Sequence, residues 1–271
     1  MGMEKFSVAV IGAGVMGEAI IKTLFKCGFR GNEIFVFERR DERFLELQEK
    51  FNICEGELEN CQIVFLTIKP QDFYSVMSEL KSSLSGNSLI ISLMAGVNIN
   101  TIEKLFSNKS RIVRIMTNTP ILAGEGMSVI ALSDSATKED SDWVCNLFSK
   151  QGKVLLLDER QLDLVTAISG SGPAYFFAFA EVVTNVAVKL GLSSKDAKIL
   201  VQQTFYGSAN LQRERDKDFS ELRSEVSSRG GTTEAALLVF ESMQLEELVE
   251  KAIRAAMARS IQLSSFTLEK D

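Results

Sequence analysis

The sequence contains no histidine among its 271 residues. This absence excludes every Ser–His or Cys–His nucleophile pair, every zinc site of the HExxH type and any histidine general base. If the protein is an enzyme, other side chains or a bound cofactor must therefore carry the difficult step of its reaction. We expect no metal site.

Cysteine is scarce, which is typical of a reduced, intracellular protein when the chain is this long. The N-terminus lacks the pattern of a signal peptide. The longest apolar stretch, residues 174–192, is interrupted by Glu181 and Lys189, which predicts a buried helix rather than a membrane span. We therefore expect a cytoplasmic protein without a membrane partner. The four cysteines, none of them in a CxxC motif, are Cys27, Cys54, Cys61 and Cys145.

Neither sign of charge dominates, since 30 Lys and Arg face 36 Asp and Glu, a net charge of −6. This mildly acidic balance disfavours nucleic acid as a partner. Hydrophobic residues make up 45% of the chain and charged residues 24%, a mixture able to bury a core. The length predicts one or two domains.

Short apolar runs alternate with helical patterns over the first 160 residues, which predicts βαβ units and a mostly parallel sheet. No strand-like run follows Asp158, and the rest of the chain predicts helices only. We therefore expect a doubly wound α/β domain over 1–160 and an all-helical domain over 161–271. Asn100 and Glu103 have the spacing of a helix-capping box. The predicted strands are 7–11, 33–37, 63–68, 88–93, 111–116, 127–132 and 154–157.

The strongest motif is GAGVMG at residues 12–17, between the first predicted strand and the first predicted helix. Its glycines permit a tight turn and a close approach of the backbone to a pyrophosphate, which is typical of a Rossmann dinucleotide-binding domain. Glu38 ends the second predicted strand about 20 residues further on, where a ribose-binding carboxylate belongs. The alternative is a glycine turn without a ligand.

The residues around Glu38 leave the choice of cofactor open. The carboxylate favours NAD through its ribose 2′-hydroxyl, whereas Arg39 and Arg40 are placed to hold the 2′-phosphate of NADP. A solvated loop is the alternative for both arginines. We expect that both NADH and NADPH are used.

Two further loops have motif-like composition. The prolines Pro70 and Pro120 follow the carboxyl ends of predicted strands, where ligands bind in open α/β sheets, although ordinary turns explain them equally well. Residues 227–233, SSRGGTT, precede a predicted helix. Backbone N–H groups at such a helix start favour a carboxylate; the alternative is a capping loop with Thr232 as N-cap.

Taken together, these segments resemble the Δ1-pyrroline-5-carboxylate reductase family over nearly the whole chain. The resemblance is carried by six segments in the same order as in the family. They are GAGVMG at 12–17, IKPQ at 68–71, SLMAGV at 92–97, NTP at 118–120, AISGSGPAY at 167–175 and GGTT at 230–233.

The resemblance implies a Rossmann domain followed by a helical dimerisation domain, with dimers often assembled into rings. It implies reduction of the cyclic imine 1-pyrroline-5-carboxylate to L-proline by NADPH or NADH, with Thr233 as the hydroxyl partner of the ring nitrogen. The resemblance implies that the cofactor-binding residues are Gly12, Ala13, Gly14, Val15, Met16, Lys69, Pro70 and Asn118. The position after the second predicted strand adds Glu38 and Arg39 at the ribose end. The implied substrate-binding residues are Ser228, Gly230, Gly231, Thr232 and Thr233.

Two positions depart from the family, which usually has proline where this chain has Thr117 and Arg229. We expect Arg229 to point to solvent, because backbone groups suffice for a carboxylate. Two other functions stay open. One is a β-hydroxyacid-type dehydrogenase, for which Lys189 lies at the wrong end of the long helix. The other is a cofactor-binding homologue that has lost turnover.

Overall fold

The computed structural model describes residues 6–56, 58–84, 87–106 and 110–266. These residues divide into two compact units. One unit comprises the described residues up to Ser171 together with those from Ala256 onward, and the other is Gly172–Ala255. We describe each unit by itself.

The first unit is built on a seven-stranded sheet with the strand order β2-β1-β3-β4-β5-β6-β7. All neighbouring strands are parallel except β5 and β6, which are antiparallel. The predicted α/β class and mostly parallel sheet are thereby confirmed. The strands are β1 Val8–Ile11, β2 Ile34–Phe37, β3 Ile63–Leu66, β4 Leu89–Ser92, β5 Arg111–Met116, β6 Gly126–Leu132 and β7 Gly152–Leu156.

Helices cover both faces of this sheet, as a doubly wound fold requires. Alternate residues of β1 show the two layers: Val8 and Val10 belong to one buried cluster, whereas Ala9 and Ile11 belong to the other. Side chains of α1, α2 and α5 pack in the first cluster, and those of α3 and α4 pack in the second. The helices are α1 Val15–Lys26, α2 Asp41–Phe51, α3 Phe73–Leu80, α4 Ile99–Phe106 and α5 Lys138–Ser149.

The start of α4 corrects one prediction. The side chain of Asn98, not that of Asn100, caps the helix by accepting a hydrogen bond from the Thr101 N–H at 2.8 Å. The Ile99 N–H donates to the carboxylate of Glu159 at 2.8 Å. The helix therefore begins earlier than the capping-box spacing indicates, because a distant carboxylate satisfies its first N–H group.

The chain between the sheet and the second unit packs on the first unit. Helix α6, Leu162–Val165, runs into a π-helical turn at Thr166–Gly170. Leu162 is fully buried, and the Ser260 hydroxyl donates to Asp163 at 2.6 Å. A domain boundary at residue 160 stays a prediction, since the compact units separate at Ser171 and again at Ala256.

The second unit consists of helices only, and few of its residues are buried. Phe177 in α7 is 61% exposed and Leu238 in α10 is 58% exposed. The expectation of a buried helix over 174–192 is therefore wrong for a single chain, because many of its apolar side chains are exposed to solvent there. No described helix is both long and apolar enough to span a bilayer. The helices are α7 Gly172–Lys189, α8 Ser194–Arg215, α9 Phe219–Glu225, α10 Thr232–Ser242 and α11 Leu245–Phe266, which continues into the first unit.

Candidate active site

The turn between β1 and α1 has the geometry that a dinucleotide pyrophosphate needs. Gly12 has a φ of +90°, and a Cβ there would lie 2.6 Å from the Ile68 side chain. A Cβ on Gly17 would lie 2.1 Å from the Gly12 carbonyl oxygen. A Cβ on Gly14, in contrast, would have no neighbour within 4 Å. Two glycines thus permit the tight packing, and the third leaves the backbone open to a ligand.

Thr67, the residue that follows β3, holds this turn in place, and β3 is the neighbour of β1 in the sheet. The Thr67 hydroxyl lies within hydrogen-bond distance of the carbonyl oxygens of Ile11 and Gly12. The Thr67 N–H also donates to the Ile11 carbonyl at 2.9 Å. Because β2 and β3 lie on opposite sides of β1, the turn sits where the strand order reverses, the usual ligand position in such sheets.

Arg43 of α2 is a second support of the turn, and no sequence motif marks it. Its Nε donates to the Ala13 carbonyl at 3.0 Å, and the same guanidinium pairs with Glu18 of α1 at 2.5 Å. Lys50 and Lys22 each lie 2.9 Å from Glu18 as well. Hydrogen bonds from Lys50, Arg43 and Lys22 lower the pKa of Glu18 to about 2.

Glu38 lies beside the glycine turn, as the sequence predicts. Its carboxylate accepts hydrogen bonds from the Ala13 N–H at 2.9 Å and from the Arg40 guanidinium at 2.8 Å and 3.1 Å. Only 8% of the side chain is exposed. Burial raises the pKa of Glu38, but the bonds from Arg40 and Ala13 outweigh it and hold that pKa below its usual value. The carboxylate is therefore ionised and already paired with a cation.

Arg39 and Arg40 differ in placement. Arg39 turns to α3 and pairs with Glu79 at 3.1 Å, with both side chains about half exposed. Arg40, in contrast, covers Glu38. Beside them lies a cleft of about 530 Å³, whose lining includes Phe37, Glu38, Leu58 and Leu80.

The residues predicted for the nicotinamide end follow β3 and β5. Lys69 is exposed, and Pro70 opens a short 3₁₀ turn that leads into α3. Asn118 uses both ends of its amide: Nδ2 donates to the Ser169 carbonyl at 3.0 Å, and Oδ1 accepts from the Met127 N–H at 2.9 Å. Asn118 thereby connects the end of β5 to the π-helical turn.

That π-helical turn, Thr166–Gly170, overlaps the first four residues of the AISGSGPAY segment. A Cβ on Gly170 would lie 2.2 Å from the Met116 methyl group, so a larger residue in this turn would have to displace the flexible end of the Met116 side chain on β5. Turns of this kind occur frequently at functional sites. The sequence shows its glycines, but not the wider winding of the helix.

The predicted substrate loop, residues 228–233, belongs to the second unit. Gly230 has a φ of +73°, and its N–H donates to the Glu234 carboxylate at 2.6 Å. The Gly231 N–H donates to the Ser228 carbonyl at 2.9 Å. Helix α10 begins at Thr232 with Gly231 as N-cap, so the alternative in which Thr232 is the N-cap is wrong.

The backbone N–H donors other than those of Gly230 and Gly231 lie in the first turn of α10. Thr232 is exposed and Thr233 is half-buried, and N–H groups of a first helical turn have no partner within the helix. Arg229 is exposed, as expected. The Ser227 hydroxyl is buried and has no hydrogen-bond partner among the described residues. The loop therefore offers backbone donors, the positive end of a helix dipole and small hydroxyls to an anion.

Metal ligands are not clustered in the part of the chain that the structure describes: no group of three or more Cys, Asp and Glu is arranged to hold an ion. The same part contains four free cysteines. Burial raises the pKa of the Cys61 thiol to about 11, so this thiol is protonated at neutral pH and a poor nucleophile.

The fold and the glycine turn define the class of protein: a Rossmann-type dinucleotide-binding protein with an all-helical second unit. Two family models match the chain. Residues 7–96 match the model described as NADP oxidoreductase, coenzyme F420-dependent, and residues 159–263 match that of pyrroline-5-carboxylate reductase dimerisation.

Known relatives narrow the class further. The chain is 37% identical to the pyrroline-5-carboxylate reductase of Corynebacterium melassecola, over 94% of this chain and 95% of that protein. The structure of the Coxiella burnetii reductase is 33% identical, with a TM-score of 0.87 over 96% of this chain and 99% of that chain. The Plasmodium falciparum enzyme, solved with NADP bound, is 29% identical, with a TM-score of 0.85 over 97% and 100%. The chain belongs to the pyrroline-5-carboxylate reductase family, and the resemblance is confirmed.

Proposed function

We propose that this protein reduces 1-pyrroline-5-carboxylate to L-proline with NADPH or NADH. The observation that carries the proposal is the similarity to pyrroline-5-carboxylate reductases, which in the Corynebacterium melassecola relative is 37% identity over 94% of this chain. That similarity includes both units, so it covers the dinucleotide turn as well as the loop at the start of α10.

The residues of the first unit fit a nicotinamide dinucleotide. The open backbone at Gly14 and the N-terminus of α1 suit a pyrophosphate. The cleft beside Glu38 suits the adenosine, with apolar side chains for the base and the Glu38–Arg40 pair at the ribose. Because Arg40 balances the charge of Glu38, a 2′-phosphate meets a neutral pair rather than a bare carboxylate. The NADP bound to the Plasmodium falciparum relative supports this fit.

The loop before α10 fits the carboxylate of the substrate. N–H groups of Thr232 and Thr233 hold the anion at the positive end of the helix dipole. The Thr233 hydroxyl is the partner of the ring nitrogen and fixes the orientation of the imine. Ser228, Gly230 and Gly231 shape the loop around these donors.

The chemistry needs little from the protein beyond this placement. When bound, the nicotinamide supplies the hydride that adds to the imine carbon. The protonated imine is already electrophilic, so the site needs no strong side-chain acid. A chain without histidine is therefore able to perform this reaction.

Self-association follows from the second unit, which presents apolar helices and has few buried residues of its own. Exposed apolar surface on this scale marks an interface. The family model that matches residues 159–263 describes dimerisation. We propose that this protein forms a homodimer in the cytoplasm, and that its dimers assemble further into a ring. Light scattering at micromolar concentration tests this, since a species of 30 kDa, the mass of one chain, would contradict it.

One assay separates the three functions. Loss of NAD(P)H absorbance on addition of 1-pyrroline-5-carboxylate supports the reductase. Reduction of NAD(P)⁺ by small β-hydroxy acids, with no turnover of the imine, favours the dehydrogenase. Cofactor binding without turnover of either substrate favours the degenerate homologue. Thr233→Ala is the control for the first outcome, because it removes the hydroxyl at the imine nitrogen and leaves the dinucleotide turn intact.

A further inference from the structure

Glu234 lies in the first turn of α10. Among the described residues, it is the one whose side chain forms a hydrogen bond with a backbone N–H of the substrate loop. Its carboxylate accepts from the Gly230 N–H at 2.6 Å. Gly230 is the residue of this loop with left-handed backbone, at a φ of +73°. The side chain of Glu234 is half-buried. A carboxylate that accepts from a backbone N–H forms one of the stronger hydrogen bonds in proteins.

The bond has a consequence for the substrate. The Gly230 N–H is committed to Glu234, and the Gly231 N–H is committed to the Ser228 carbonyl at 2.9 Å. The donors left for a substrate carboxylate are those of the first helical turn, at Thr232 and Thr233. The glycines therefore shape the loop, and the threonines receive the anion.

The bond also lies next to Arg229, one of the two positions at which this chain departs from the family pattern. Arg229 stands where the family usually has proline, and proline would restrict the loop before Gly230 through its fixed φ. Arg229 is exposed and gives no such restriction. Glu234 restricts the same segment from the other side, by holding the N–H of the next residue.

We propose that Glu234 is a positioning residue that holds the substrate loop in its binding conformation, and that it supplies a restriction that Arg229, unlike a proline, does not give. This inference rests on the proposed function for its kinetic consequence. It does not depend on that function for its structural consequence, which is the order of residues 228–231.

The kinetic test compares Glu234→Ala and Glu234→Gln with the unchanged enzyme. Glu234→Ala should raise the KM for 1-pyrroline-5-carboxylate about fivefold or more, since a charge-assisted bond is lost. The KM for NADPH and kcat should stay within about twofold, because uniform binding alone is weakened. Glu234→Gln keeps an oxygen acceptor for the Gly230 N–H, so it should stay within about threefold of the unchanged enzyme.

The substitution Arg229→Pro tests whether the lost restriction can be restored. Arg229→Pro in the Glu234→Ala background should recover most of the lost KM, because it restricts the loop again. The same change alone should alter KM by less than about twofold. Glu241→Ala is the matched control. Glu241 is the other acidic residue on α10 and is exposed, and this change should leave KM unaltered.

Hydrogen–deuterium exchange of the full-length protein keeps the test independent of turnover. The peptide that contains Gly230 should exchange faster in Glu234→Ala, but not in Glu241→Ala. An active enzyme in which Glu234→Ala leaves the KM for the imine unchanged or lowers it overturns the inference, and so does failure of the proline rescue. An inactive unchanged enzyme contradicts the proposed function instead, and the exchange rates then decide the role of Glu234. If Glu234→Ala does not fold, Glu234→Ser takes its place in both measurements, because its side chain is also too short to reach the Gly230 N–H.

Discussion

The hydroxyl of Thr117 lies 2.8 Å from the hydroxyl of Ser128. Both residues are buried: Thr117 is 7% exposed and Ser128 is 2% exposed. Thr117 follows β5, and Ser128 lies in β6, the antiparallel neighbour of β5. Thr117 is one of the two positions at which the resemblance to the family leads us to expect proline. Here the position holds a buried polar group whose partner, Ser128, satisfies it.

We predict that Thr117 and Ser128 are coupled in stability. Thr117→Val and Ser128→Ala should each lower the free energy of unfolding by about 1–3 kcal/mol, because each leaves one buried hydroxyl without its partner. The double variant should lose less than the sum of the two single losses. Thr117→Pro alone should also destabilise, although it restores the residue usual in the family. Additive losses in thermal or urea unfolding would show that the two hydroxyls do not depend on each other.

A second prediction concerns the choice between NADPH and NADH. Glu38→Gln removes a negative charge from the place where the 2′-phosphate is expected. It should raise the NADPH/NADH ratio of kcat/KM about fivefold, corresponding to about 1 kcal/mol of relieved repulsion. Arg40→Ala should lower the ratio, since it exposes the carboxylate. The ratio is the informative quantity, because a weaker Ala13–Glu38 bond affects the binding of both cofactors alike. If neither change alters it, Glu38 does not face the adenosine ribose.

The substrate loop gives a third prediction. Thr233→Ala should reduce kcat/KM for 1-pyrroline-5-carboxylate at least about tenfold, as expected for the loss of a hydrogen bond to a charged group. Arg229→Ala should change it less than about threefold, because an exposed arginine contributes little. Arg229→Pro should maintain or improve it. Steady-state kinetics on the three variants test this, and a hundredfold loss in Arg229→Ala would instead make the arginine a direct ligand of the carboxylate.

The pKa of Glu18 gives a prediction with a defined pH range. Hydrogen bonds from Lys50, Arg43 and Lys22 lower this pKa from 4.5 to about 2 in the folded protein. A lowered folded-state pKa stabilises the fold fully above the unfolded pKa, and the stabilisation is lost as the pH falls towards the folded value. The melting temperature of Glu18→Gln should therefore fall below that of the unchanged protein at pH 7, and the gap should narrow between about pH 4.5 and pH 2. Glu42→Gln, an exposed position on α2, is the control. A gap that does not vary with pH would contradict the ion-pair account.

Much of the first unit is predictable because its determinants are local. Each strand is a short apolar run bounded by polar or turn residues, and both faces of the sheet are covered, so the runs need no further information to be recognised. The glycine turn and Glu38 are likewise found together because they occupy fixed places in a βαβ unit. The determinants of the start of α5 are also local, since Thr137 and Asp140 form its capping box.

The missed features depend on residues that are distant in sequence. Helix α4 begins at Ile99 because the carboxylate of Glu159 accepts its N–H. Arg43 holds the Ala13 carbonyl from a different helix, and no motif marks it. The exposure of α7 in a single chain was missed for another reason. A hydrophobic sequence indicates that a face is covered, but not whether the same chain or a second copy covers it.

The transfer of label from the cofactor to the product tests the proposed reduction of 1-pyrroline-5-carboxylate most directly. NADPH carrying deuterium at the transferred position of C4 is incubated with 1-pyrroline-5-carboxylate and the full-length protein, and proline is analysed by mass spectrometry. We expect proline one mass unit heavier, with the deuterium at the former imine carbon. The variant Thr233→Ala should form at least about tenfold less of this labelled proline. Oxidation of NADPH without labelled proline, or no oxidation at all by a protein that binds NADPH, would contradict the proposed reduction.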